Sequence, residues 1–146
     1  MGLIDAIREG RYVPDDDPPL VTPGRLRTLA ETAERIDQGE DVLFAVREFL
    51  DHAGRATSEE LPAMIEQRPS PTGSRRADAL LGALGEHFAT ARSVPCPTWT
   101  SDPDRFLDEF WFVSEIEGFR AISLAQSPIA LKRRGVMWPA RSLGRV

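Results

Sequence analysis

The sequence predicts an all-α fold, an irregular bundle of about five or six helices behind an extended N-terminal arm. Three observations predict it. Apolar residues recur at three- and four-residue intervals in several separate stretches, capping residues stand at the head of most of them, and glycine or proline closes them. The 146 residues are 41% hydrophobic and 28% charged, which is the composition of one globular domain with a real apolar core. The reading divides the chain into an extended acidic arm, residues 1–22, and a single helical domain, residues 23–146.

Taken in order, Leu3-Ile4-Asp5-Ala6-Ile7-Arg8-Glu9-Gly10 has material for a turn or two of helix, but Asp15-Asp16-Asp17-Pro18-Pro19 suits neither a helix nor a strand interior. From Pro23 onward, Leu26, Leu29, Ala30, Ala33 and Ile36 share a helical face up to the break at Gln38-Gly39. Asp41 can cap a second helix carrying Val42, Leu43, Ala45, Val46, Phe49 and Leu50, and the two form a hairpin. Ser58 opens a short helix with Leu61, Met64 and Ile65, in which Pro62 sits acceptably in the first turn. After the loop 68–73, Ser74 caps a long helix, Arg75–Ala91, expected to cross the core. Ser101-Asp102-Pro103-Asp104 is a strong helix start and predicts an aromatic helix over 103–113, packed in the core. Shorter helices follow at 117–126 and 129–134, the latter closed by Gly135, and the chain finishes as an extended piece and a last turn.

Net charge is −5, which argues against direct nucleic-acid binding, and no apolar run approaches the roughly 20 residues of a membrane span. One cysteine, Cys96, and no signal-like opening point to a reducing cytoplasm. The charge is unevenly placed. Residues 1–117 hold all 23 acids against 12 bases, whereas 118–146 hold six bases and no acid. That basic end can fold against the acidic remainder or meet an acidic or phosphate-bearing partner.

Catalytic material is sparse. Cys96, between Pro95 and Pro97, reads as an inert thiol, and with two histidines in the chain no zinc set or triad is legible. Gly73, Gly82 and Gly85 lack the strand–turn–helix context of a nucleotide loop. Asp15–Asp17 and Asp108-Glu109 read as solvated acids rather than a cation site. The prediction is accordingly no enzyme, no metal and no cofactor. The alternative is Arg47-Glu48-Phe49-Leu50-Asp51-His52, whose arginine and histidine resemble the motif of helical HEPN ribonucleases; there His52 would move protons and Arg47 hold phosphate. An exposed helix-end pair explains the same residues, and Glu48 would repel RNA.

The remaining candidates concern protein contact. Phe106, Phe110, Trp111 and Phe112 are too much apolar surface to leave in water, so they are core or interface, with Trp99 and Trp138 able to extend the patch. Lys132-Arg133-Arg134 suits the dipole of a helix end, or an acidic partner. The candidate partner-binding set is therefore Trp99, Phe110, Trp111, Lys132, Arg133, Arg134 and Trp138.

The last third of the chain adds a resemblance. Pro97-Thr98-Trp99, Asp102-Pro103-Asp104-Arg105-Phe106-Leu107, Phe110-Trp111-Phe112, Arg120-Ala121 and Ser127-Pro128-Ile129-Ala130-Leu131-Lys132-Arg133-Arg134-Gly135-Val136, with Leu143 and Arg145-Val146, resemble the C-terminal region of a family of actinobacterial antitoxin-like helical proteins. Some members carry a DNA-binding helix-turn-helix, and some are encoded beside a nucleotidyltransferase-like toxin. The resemblance spans about residues 95–146 and brings no catalytic residues. It implies a cytoplasmic protein that neutralises or regulates a protein partner. Since no helix-turn-helix is legible in the first hundred residues, it implies action by covering that partner, for which an acidic body and arm suit a basic toxin.

Overall fold

The computed structural model describes residues 27–114 and 116–143, and six α-helices lie among them. The arm 1–22, the expected start of the first helix at Pro23, and residues 144–146 lie outside the described residues. Helix α1 (Leu29–Asp37) begins at Thr28 through a capping box, in which Thr28 and Glu31 each accept the other's backbone N–H. Asp41 caps α2 (Val42–Arg55) by accepting from Phe44 N–H at 3.0 Å. α1 and α2 pack together through Ile36, Val42 and Ala45. Arg35, projecting from α1, bridges Glu40 and Glu48, and the Glu40 bond holds its guanidinium firmly protonated.

The short α3 (Leu61–Ile65) starts later than the Ser58 reading would have it, behind a turn over 58–60. Thr57, not Ser58, exchanges capping hydrogen bonds with Glu60. Ser74 caps α4 (Arg75–Ala91) as expected. This helix is buried around most of its circumference and touches α1, α3, α6 (Ile129–Lys132), and the 3-10 turns at Thr98–Ser101 and Pro103–Arg105. Even Asp78 is covered, satisfied by the backbone and side-chain donors of Thr72 at 3.0 and 2.9 Å.

The expected aromatic helix over 103–113 is overturned. Asp102-Pro103 does start a helical turn, but it lasts only Pro103–Arg105, and Phe106 is already extended at φ −124° and ψ 130°. The backbone donors that would have continued the helix are taken from outside. Leu107 N–H goes to Arg134 O at 3.0 Å, Trp111 N–H to Gly135 O at 2.7 Å and Val113 N–H to Met137 O at 3.1 Å. β1 (Trp111–Phe112) thereby pairs in parallel with β2 (Val136–Met137), in register Trp111 with Val136 and Phe112 with Met137. Phe-Trp-Phe-Val is a strand-favouring composition once a partner edge exists. The chain between the strands carries α5 (Arg120–Gln126) and α6, the crossover that a parallel pair requires. Gly135, at φ +83°, makes the turn from α6 into β2 in a conformation that side chains resist.

Gly82 and Gly85 let the 98–105 turns lie directly on α4. A Cβ at Gly82 would stand 2.9 Å from Cδ and 3.1 Å from Cβ of Arg105, and one at Gly85 would stand 2.8 Å from Thr100 Cγ2. Gly54, in α2, faces open space. Gly54→Ala should therefore raise stability by about 0.5–1 kcal/mol through helix propensity. Gly82→Ala, with the same propensity gain, should lower it by roughly 1–2 kcal/mol through overpacking. Urea unfolding followed by circular dichroism measures both, and equal effects would refute the close-packing account.

Candidate protein interface

Two arginines next to α4 are nearly or wholly sealed from water. Arg105 donates to the carbonyls of Asp78 at 3.1 Å and Pro69 at 2.9 Å, with its guanidinium 4.7 Å from the Trp99 ring. Burial pushes its pKa down, while Asp78 and Asp102 pull the other way. Arg134, 0% exposed, donates to Thr100 O at 2.7 Å, to Ala130 O at 2.8 Å and to Glu86 Oε1 at 2.5 Å, and lies 4.7 Å from the Phe106 ring. Arg133 shares the same carboxylate at 3.0 Å. Much of the basic cluster is therefore absorbed within the chain by Glu86, on α4.

These contacts sort the seven candidate residues. Trp99 is buried with its indole N–H donated to Ile65 O at 2.9 Å, and Trp138 is buried beneath the Arg47 guanidinium at 5.7 Å. Together with Arg134 they are packing residues in the isolated chain, not surface. Trp111 and Lys132 are half-buried, Arg133 is exposed, and Phe110 is 61% exposed. The core alternative for Phe110 is therefore excluded.

Five further exposed apolar residues were not among the seven: Phe44 on α2, and Ile116, Phe119, Leu124 and Ile129, the last 72% exposed. Apart from Phe44 they ride with Phe110 on one excursion, residues 110–129, and their only sequence signal is that they outnumber what α5 and α6 can bury. α5 turns Ser123 into the body and leaves Ala121, Leu124 and Ala125 outward. Arginines accompany the aromatic rings of this region. Arg76 lies 5.6 Å from the Trp111 ring, Arg120 4.9 Å from Phe112 and Arg133 5.8 Å from Phe106. Such a surface, large apolar groups among planar cations, has the composition of a protein-binding patch.

The other candidate positions offer less. Arg47 and His52 stand five residues apart on α2, about 140° apart around the helix. Arg47 covers Trp138, while desolvation, and then Arg27 and Arg55, push His52 below its ordinary pKa. The structure does not draw the two side chains to a common point. Cys96 lines an open cleft of about 390 Å³ with Pro62, Ile65, Glu66, Pro95, Pro97, Thr98 and Trp99, and its thiol lies 3.4 Å from Thr100 Oγ1. That lining holds no imidazole or amine to activate the thiol. Among the described residues no group of three or more His, Cys, Asp and Glu side chains could hold a metal ion, and no helix is long and apolar enough to cross a membrane.

Two predictions follow from these environments. Glu86→Ala leaves Arg134 buried with carbonyl partners alone and should cost on the order of 2–3 kcal/mol, whereas Arg134→Met should cost clearly less; chemical denaturation separates the two. His87, set edge-on against Phe88 at 5.3 Å, is pushed below its ordinary pKa by burial, so the unfolded chain binds its proton more readily than the folded one. Stability should hold at pH 7 and fall as pH drops from about 6.5 toward 5, above the carboxylate range. His87→Gln should flatten that slope, and an unchanged slope would contradict the assignment. No family model, curated protein or solved structure matches the chain.

Proposed function

We propose that the chain is a protein-interaction module that acts as antitoxins do, by covering a partner protein, and that the partner seats on the face carried by residues 110–129. The observation that carries this reading is the exposure of Phe110, Ile116, Phe119, Leu124 and Ile129 within 20 residues, inside the stretch that bears the family resemblance. Burying each such side chain at an interface releases roughly 1.5–3 kcal/mol. An isolated chain forgoes that gain, and a partner collects it. Net charge of −5 steers a basic partner toward the molecule from a distance, while the apolar face supplies the contact. A cytoplasmic setting fits the single thiol.

Affinity capture from the source cells tests the reading. The tagged wild-type chain should retain one partner at stoichiometric yield, and the triple variant Phe119→Ser/Leu124→Ser/Ile129→Ser, folded by circular dichroism, should lose it. Undiminished capture by the variant, or no specific capture by the wild type, would sink the proposal.

A further inference from the structure

β1 is paired along one side. Trp111 N–H goes to Gly135 O at 2.7 Å and Val113 N–H to Met137 O at 3.1 Å, so these residues turn their backbone groups toward β2. Alternation along the strand turns the N–H and C=O groups of Phe110 and Phe112 the other way. Among the described residues no hydrogen bond engages these groups. The side chains divide in the same rhythm. Val113 belongs to the core and Trp111 packs against it, while Phe110 is 61% exposed and Phe112 lies half-buried, 4.9 Å from the Arg120 guanidinium. β1 therefore presents an open edge, with donors and acceptors repeating at roughly 6.6 Å beside an exposed ring.

The charge around this edge is mostly of one sign. Residues 106–120 hold four acids, Asp108, Glu109, Glu115 and Glu117, against one base, Arg120. Asp108 and Glu109 are exposed just before the strand, and the ion pairs among the described residues involve neither. The other cations nearby are turned elsewhere. Arg76 lies against Trp111, on the opposite face of the strand, Arg75 donates to Phe106 O at 2.9 Å, and Arg133 shares Glu86 with Arg134. A second copy is a poor occupant, because in sequence acids both precede and follow the strand, and edge-to-edge pairing would bring like charges together. An extended segment with an apolar middle and basic ends answers the backbone groups, the ring and the acids at once.

We propose that this edge takes a third strand: an extended, basic-ended segment of the partner protein pairs its N–H and C=O groups with those of Phe110 and Phe112 and lays an apolar side chain against the two rings. This gives the partner's mode of attachment and rests on the function proposed above for its meaning in the cell. The pairing itself is measured on the isolated chain.

The probe is a peptide of Val-Thr-Val with two lysines at each end, titrated into the full-length protein carrying isotope-labelled phenylalanine amides. The Phe110 and Phe112 resonances should shift saturably and their amides exchange about tenfold or more slower when bound, with Phe49 and Phe88 unmoved. A peptide N-methylated at Thr and both Val should bind about tenfold or more weaker, as should one with glutamates for lysines at low salt. Phe112→Pro removes the ring and the outward N–H at an edge position, and should lose the binding that Phe112→Ala, lacking the ring alone, retains. Unmoved Phe110 and Phe112 amides at millimolar peptide, undiminished binding of the N-methylated peptide, or equal binding of the glutamate peptide would each overturn the inference. If Phe112→Pro fails to fold, the N-methylated peptide on the wild-type chain decides alone. Partner capture that survives a folded Phe112→Pro would sink the strand pairing and leave the proposed function standing, whereas peptide pairing without any specific partner would sink only the proposed function.

Discussion

The fold depends on the clasp that two buried arginines form over α4. Taking a guanidinium out of water costs several kcal/mol unless its donors are met. Arg134 meets that requirement at its terminal nitrogens, with one carboxylate and two carbonyls drawn from α4, from α6 and from the turn at Thr98–Ser101. Arg105 does so with carbonyls from α4 and from the loop before it, and in each arginine Nε is buried without an acceptor. Because these acceptors are dispersed along the chain, satisfying two side chains locks four segments in place. The glycines of α4 supply the room, since a methyl group at Gly82 would collide with Arg105.

That clasp decides the fate of the aromatic segment. With Arg105 held down on α4, the backbone leaves the helical turn at Phe106 and runs alongside the residues following Arg134. A short parallel strand pair results, and its crossover must pass over the outside of the body. The exposed apolar residues are the consequence. α6 turns Ala130 and Leu131 inward, so Ile129 points out, and on α5 Leu124 lies about 200° around the helix from half-buried Ile122 and faces outward. The exposed apolar surface is the part of the crossover that the clasp does not pull into the core.

Charge tells a similar story. In sequence the basic end resembles a free electrostatic handle, but Glu86 takes both Arg133 and Arg134, and aromatic rings lie under Arg120 and Arg133. The handle is partly spent on holding the molecule together. What is left on the surface is a mixture of rings and guanidinium planes, better suited to desolvated contact than to long-range attraction.

Much of the helical framework was determined locally. Asp41 and Ser74 accept the first free N–H groups of α2 and α4, and the apolar spacing of those helices needs only a core to face, so both were legible before any contact was known. Gly135 closes α6 for the same local reason. The segment after Arg105 was not legible, because Phe-Leu-Asp-Glu-Phe-Trp-Phe satisfies a helical face and a paired strand alike, and the choice fell to carbonyls some 25 residues later in the chain. The role of Glu86 was hidden likewise, 47 and 48 residues from the arginines it serves. Local sequence can set caps and periodicity because those act within a turn or two. Which aromatic is buried, which arginine is neutralised and which apolar side chains are left exposed depend on what meets across the core, and only the tertiary structure decided that.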